Sequence, residues 1–370
     1  MPKQKTQSRL VKTAAPVRVL RPVNPRKSAT PPTPSYRTCI MDMPEDIIRL
    51  LYDHLPLLAD KVMLACVEPK FRSVFEGWSK NRRIILEMES LETMPLPQLI
   101  RFFKVAGPFI KVLQVDCASF QKESLLVEFV SEFCPGLEEI NYSNATDEFH
   151  YRTIMSKMTH LKKVTIDCLD AEDVLNFDLQ SNQELESFEL VNGCYTGKNL
   201  CGFPNLKNLV LRDCLLWNSG EFGIPLKSLI TLDLDDCCFE FQITNEHARC
   251  LGQLSSLKDL RFSHNDVLED DHFKFFNDLS QLEKFGLTWC GRVMDIGMMR
   301  MVRKCLLLRV IDLSDCEEIT DEFVINAIGF CSKGPGRKLE INVKRTKIRQ
   351  DILTNSDYLD PSNHVKVNFT

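Results

Sequence analysis

Fifteen cysteines and seven histidines are the residues of this chain best equipped for chemistry, as metal ligands, redox couples or nucleophiles. Their spacing points elsewhere. No Cys-x-x-Cys or His-x-x-x-His occurs, and the tightest pair, Cys237–Cys238, is adjacent and cannot close a zinc knuckle. There is no Gly-x-Ser-x-Gly elbow, no His-Glu-x-x-His and no Gly-x-Gly-x-x-Gly. The nearest phosphate-loop lookalike, GCYTGKN at 193–199, is one spacer residue short and has Asn199 where Ser or Thr would ligate magnesium. Glycosylation sequons begin at Asn141, Asn144 and Asn368, but the polar N-terminus has no apolar leader core. The expectation is a chain without a catalytic centre, a metal or a cofactor.

Charge narrows the class further. Residues 1–41 hold nine basic residues and no acid, while the remaining 329 carry 37 basic against 51 acidic residues, a net −14. A body of that sign argues against nucleic acid as the partner, because phosphate binding wants a basic folded surface. No apolar stretch approaches the roughly 18 residues needed to cross a bilayer. The expected setting is cytoplasmic and/or nuclear, where disulfides are disfavoured. Residues 1–40, basic and rich in Pro, Ser and Thr, read as a disordered tail. Thr30-Pro31 and Thr33-Pro34 in it are candidate phosphorylation sites.

The elements that would position any functional residue are of two kinds. Residues 41–80 predict three short amphipathic helices. In the first, Ile47, Ile48, Leu51 and Leu55 repeat at helical spacing after Pro44; Asp60 suits the cap of the second; Phe71, Val74, Phe75 and Trp78 stripe the third. Such a unit is too small to be comfortable alone and expects a partner or a covering neighbour.

From about residue 82 the pattern becomes Leu-x-x-Leu-x-Leu, beginning at Ile110, Leu137, Leu161, Leu185, Leu206, Leu229, Leu257, Leu282 and Leu308. The ninth position decides its meaning: it is Cys214, Cys237, Asn265, Cys290 and Cys316 in five consecutive units. This resembles the cysteine-containing leucine-rich repeat. It implies an α/β solenoid, a curved parallel sheet with outer helices, over residues 81–350, with 351–370 as a C-terminal tail. The cysteines are then small buried fillers at the bend after each strand. A serine there would cost roughly 1–3 kcal/mol if its hydroxyl found no partner.

Strand alternation sends the fifth and seventh positions outward. Arg212, Asp233, Asp235, Arg261, Thr288 and Asp312 stand there, with Asp213, Asp236, His264 and Trp289 at the strand edges. Arg212, Asp233, Asp235, Arg261, His264 and Trp289 are the candidate binding residues. A surface acidic in its middle, with Trp289 as an apolar anchor, suits a basic or mixed-charge protein segment lying across Leu206 to Leu313.

The segment MPEDIIRLLYDHLPLLADKVMLACVEPKF resembles an F-box, with Met43 and Phe71 where that family usually has Leu and Trp. Followed by cysteine-type repeats, it makes residues 42–346 similar to the F-box/leucine-rich-repeat substrate receptors of SCF ubiquitin ligases. The resemblance implies a non-catalytic adaptor. Pro44, Ile47, Ile48, Leu51 and Leu55, supported by Val62, Leu64 and Val67, would dock on a Skp-type adaptor linked to a cullin and its RING subunit. The repeats would hold a protein substrate for ubiquitination and degradation. The alternative is a leucine-rich-repeat scaffold without a ligase role, its helices merely capping the solenoid.

Overall fold

The computed structural model describes residues 39–119, 123–145, 156–169, 174–175, 182–195, 203–216, 226–239, 244–264, 268–333, 337–353 and 364–369. The expected tail up to residue 38, Asn265 and positions 196–199 of the loop at 193 lie outside them. The chain divides at Met43. Before it, a 3-10 turn at Ile40–Asp42 is closed by the Cys39 amide, which donates to Asp42 Oδ2 at 3.1 Å. Pro44–Thr370 form one compact unit.

Three helices open that unit: α1 (Glu45–His54), α2 (Leu58–Ala65) and α3 (Pro69–Ser79). α2 begins two residues before Asp60, so Asp60 lies in its first turn instead of capping it. Their core is aromatic. The Tyr52 ring lies 5.5 Å from Phe75 and its hydroxyl donates to the Phe71 carbonyl at 2.9 Å. Phase matters in α1: the buried positions are Ile48 and Tyr52, one turn apart, so most of the expected stripe faces away from this core. Helix α4 (Leu96–Ala106) packs beside α2, and Phe75 meets Phe109 edge-on at 6.2 Å, which joins the helical unit to the repeats.

Twelve strands follow in sequence order, each hydrogen-bonded in parallel to the next. They are β1 (Ile84–Glu87), β2 (Ile110–Asp116), β3 (Glu139–Ala145), β4 (Lys163–Cys168), β5 (Ser187–Val191) and β6 (Asn208–Arg212). The series continues with β7 (Thr231–Leu234), β8 (Asp259–Ser263), β9 (Lys284–Thr288), β10 (Val310–Asp312), β11 (Leu339–Asn342) and β12 (Val365–Asn368). The fourth and sixth positions point inward: Leu209, Leu211, Phe285, Leu287, Ile311 and Leu313 are all buried. This is the expected leucine-rich-repeat solenoid. It runs past residue 350, because Val365–Asn368 pairs along Leu339–Asn342. The alternation Val365, Val367 supplies the two inward side chains that the expected tail boundary overlooked.

Repeat length governs what backs the sheet. Units of 26 to 28 residues carry helices: α5 (Glu123–Phe133), α6 (Asn245–Gly252) and α7 (Asp295–Lys304). A 3-10 segment spans Asp270–Asp278 in the 25-residue unit, and α8 (Asp321–Cys331) precedes β11. The units beginning at Leu161, Leu185 and Leu206 are only 24, 21 and 23 residues long. There the described residues show no helix. Dipeptide strands at Val174, Cys194 and Leu215 form a second parallel ladder instead, which Cys238–Phe239 of the following, 28-residue unit extends.

Eight of the twelve strands stop by the same device. The eighth position is left-handed, with φ between 48° and 64°, in Asn144, Asn192, Asp213, Asp236, His264, Trp289, Asp315 and Arg345. Its amide still donates to the seventh carbonyl of the next repeat, as Asp213 does to Asp235 at 3.1 Å and Trp289 to Ser314 at 3.0 Å. The bend turns the ninth residue inward. Each cysteine thiol there donates to the sixth carbonyl of the preceding repeat: Cys214 to Leu190 (3.4 Å), Cys237 to Leu211 (3.0 Å), Cys290 to Phe262 (4.0 Å) and Cys316 to Leu287 (2.9 Å). The sites are therefore polar as well as small, and a serine hydroxyl there has a carbonyl within reach, so the condition under which it would be costly is not met.

Carboxylates cap one repeat from another in the same way. Asp270 accepts the Met294 and Gly297 amides at 2.8 and 3.1 Å, Asp295 that of Thr320 at 2.9 Å, and Asp321 that of Arg349 at 2.8 Å. Gly297 is required, since a Cβ there would lie 2.4 Å from Asp270 Oδ1. Burial pushes the Cys134 thiol up to about 12 and the Cys305 thiol up to about 11. Both stand at the helix-to-strand corner three residues before an anchoring leucine.

Two outcomes are expected. Asp213→Val should lower stability by about 1–2 kcal/mol in urea unfolding, because a β-branched residue resists the left-handed bend, whereas Asp213→Gly should stay within about 0.5 kcal/mol of the parent. In native protein at pH 8, iodoacetamide should label exposed Cys39 and Cys238 but reach Cys134, Cys237, Cys305 and Cys316 only in denaturant. At Cys237 and Cys316, serine should cost no more than about 1 kcal/mol and valine about 1–3 kcal/mol through overpacking.

Candidate functional site

On the open face of the sheet the acidic middle is largely neutralised. Asp233, an outward fifth-position residue, is only 2% exposed. Arg212 from the preceding repeat folds over it, with Nη2 2.6 Å and Nε 3.2 Å from Asp233 Oδ2, and reaches Glu189 at 3.7 Å. Asp233 is therefore a support for Arg212 instead of a surface contact, because the long guanidinium of a neighbouring strand covers what the pleat exposes. Arg261 turns to Asp259 through bonds of 3.0 and 3.1 Å, lying beside Gly286, where the absent side chain leaves it room. Asp235 binds the buried Ser263 hydroxyl; burial pushes its carboxyl above the usual carboxylate range, and the nearby Asp233 charge adds to the rise. Asp312 is tied locally, accepting from the amide and hydroxyl of Ser314 at 3.0 and 2.7 Å.

The left-handed edge presents a different surface. Trp289 is 46% exposed with φ 56°, an unusual backbone for a large aromatic. Its ring stacks on His264 at 5.2 Å and 17°, and the Arg345 guanidinium lies 5.0 Å from its centroid. Asp236 begins the row, paired to His264, and Asp315, between Trp289 and Arg345, is paired to Arg345. Exposed Met294 and Ile296 follow Trp289 closely in the chain. Of the candidate binding residues, then, His264 joins Trp289, Arg212 joins Asp233, and Asp235 and Arg261 are held by their own neighbours. Arg345 and Asp315 were missed, although both occupy the eighth position of their repeats, the signal that would have found them.

The helical unit splits the expected docking residues. Ile48 and Val62 are buried within it, at 0% and 1% exposure. Leu55 and Leu64 are half-buried, while Pro44, Ile47, Leu51 and Val67 are exposed. Leu50, Leu57 and Met63 are exposed as well and were not anticipated. The burial of Tyr52 sets the phase of α1 and so turns Ile47, Leu50 and Leu51 outward together. Among the described residues, no three His, Cys, Asp or Glu side chains converge to hold a metal ion, and no helix is long and apolar enough to cross a membrane.

His264→Ala and Arg345→Ala should each uncover part of the Trp289 ring. Acrylamide quenching of tryptophan emission should rise in both; stability should change by less than about 1 kcal/mol in His264→Ala, whereas Arg345→Ala, which leaves the buried Asp315 carboxylate without its guanidinium, should cost about 1–3 kcal/mol. Unchanged quenching would mean that the row does not persist in solution.

The sequence matches no known family and no curated protein. Among solved structures, it is similar to an internalin (InlF) from Listeria monocytogenes, with 13% identity, TM-score 0.49, and 75% of this chain and 71% of that one covered. It is also similar to the complex of Rad7 and Elc1 in yeast, with 15% identity, TM-score 0.46, and 88% and 93% covered. At these values the leucine-rich-repeat architecture rests on the strand register and the repeated bend of the chain itself.

Proposed function

We propose that this protein is a non-catalytic substrate-recognition subunit of an SCF-type ubiquitin ligase. In this reading the three-helix unit docks on a Skp-type adaptor, and through it on a cullin and RING subunit, in the cytoplasm and/or nucleus. The repeats hold a protein substrate while ubiquitin is transferred by an enzyme carried elsewhere in the complex. One observation carries the reading: Ile47, Leu50, Leu51, Leu57, Met63 and Val67 are exposed on a unit whose own core is already filled. Apolar side chains crowded outside a completed core mark a surface that another protein covers. The exposed Trp289 supports a role for the repeats in holding the substrate, because half-exposed aromatics anchor interfaces.

A second reading, a repeat scaffold capped by its helices, is favoured by the packing of α2 on α4 and of Phe75 on Phe109. Ile47→Lys/Leu51→Lys separates the two, since neither residue contributes to the helical core. Docking predicts that adaptor recovery in a pull-down falls by about 2–5 kcal/mol of binding, at least some 30-fold, with the helical circular dichroism unchanged. Full recovery by the folded variant would favour the scaffold.

A further inference from the structure

Two adjoining clefts of about 350 and 430 Å³ open where the helical unit meets the first strand, and both are lined by Arg82 and Arg83. Lys61, Pro56, Leu58, Trp78, Ile84 and Ile85 complete one; Lys80, Asn81, Lys111, Glu138 and Glu139 complete the other. Five cations thus line a junction on a body whose net charge is negative. Three are matched internally: Lys111 by Glu138 at 2.9 Å, Arg83 by Glu139, and Arg82 by Asp53 at 2.7 Å. The Asp53 oxygen that takes Arg82 also accepts the Trp78 indole N–H at 2.8 Å, and Glu138 is shared with Lys162 at 3.1 Å.

Lys61 and Lys80 pair with no carboxylate among the described residues. The carbonyl end of α3 accounts for Lys80, its C-cap residue. Nothing comparable accounts for Lys61. Its amine lies 5.1 Å from the Trp78 ring centroid, while Arg82 lies 4.7 Å from the same centroid, so two cations share one ring. Burial, and then the Arg82 charge, pull the Lys61 amine below the ordinary lysine range, and the Asp53 charge, already engaged by Arg82 and Trp78, offsets them only in part. Beside these charges stands exposed apolar surface, with Ile85 on β1 and Pro56 between α1 and α2.

We propose that this junction binds an acidic segment of a partner protein, in which a carboxylate side chain bridges Lys61 and Arg82 while an adjacent apolar side chain lies on Ile85 and Pro56. Charge complementarity selects the occupant: the Lys61 ammonium, which pairs with no carboxylate among the described residues, stands beside an apolar shelf, and the carboxylates of the cleft are already engaged. The site is distinct from the outward residues of α1, so it does not depend on adaptor docking.

The test uses the full chain and a short labelled peptide in which glutamates alternate with leucines, followed by fluorescence anisotropy. Binding should weaken as salt is raised, and Lys61→Gln/Lys80→Gln should lower affinity about tenfold, since it removes the half-buried charge that the carboxylate meets and an exposed charge at the rim of the adjoining cleft. A lysine/leucine peptide should not bind. Lys284→Gln/Lys366→Gln, which removes two lysines from distant strands, should bind the acidic peptide like the parent. So should Ile47→Lys/Leu51→Lys, and that result separates this site from adaptor docking. Equal affinity for parent and Lys61→Gln/Lys80→Gln would overturn the proposal. So would equal losses in the distant control, or lysine-dependent binding of single-stranded RNA without binding of the peptide.

Discussion

Eight of the twelve strands end after the same number of residues and send the chain back along the outside, and a left-handed residue at the eighth position is what makes them do so. That conformation costs an ordinary L-residue about 1–2 kcal/mol, which is why Asn and Asp hold five of the eight positive-φ sites. The cost is accepted because the bend keeps the eighth amide in the ladder and turns the ninth side chain into the core. It also lines up one side chain per repeat along the sheet edge. Neighbouring strands stand about 4.8 Å apart, which is close to the thickness at which rings stack. The 5.2 Å contact between His264 and Trp289 is thus a consequence of strand spacing acting on two aromatic rings in adjacent repeats.

Polar groups in this architecture are satisfied between repeats more than within them. The cysteine thiols donate back to the preceding strand, the Asp270, Asp295 and Asp321 carboxylates cap forward, and Arg337 closes the end of α7 by donating to the Val302, Cys305 and Leu308 carbonyls. A repeat taken alone would leave all of these groups unpaired, so stability accumulates through neighbours and both ends need covering. Helices α1–α4 lie at the first end and the short strand β12 at the other.

The helical unit meets that requirement while keeping one surface apolar and unpaired. Filling its core with Tyr52, Phe71, Phe75 and Trp78 leaves no inward place for Ile47, Leu50 or Leu51. Anchoring through α2 and Phe75 also holds those side chains on a rigid base, so a partner meeting them pays little ordering entropy. The same anchoring creates the junction where Lys61 and Arg82 crowd Trp78.

Periodicity was enough to reveal the repeats, their inward leucines, the three helices and the buried cysteines, because backbone geometry imposes a period of 2 or 3.6 on any side chain that must face a core. Helix phase was legible only roughly: Ile47, Ile48, Leu51 and Leu55 share one face of the helix, but the buried pair is Ile48 and Tyr52, so the core takes only the edge of that face and the rest turns outward. The last strand escaped notice because two inward valines are too few to establish a period. The open face was least legible. Sequence placed Asp233 outward correctly, but whether an outward carboxylate meets water or a neighbour's guanidinium depends on residues 21 positions away. Ion pairing of that kind, like the gathering of Asp236, His264, Trp289, Asp315 and Arg345 into one row, is settled by register between strands. Local sequence carries the alternation along a strand, and only tertiary structure brings the strands side by side.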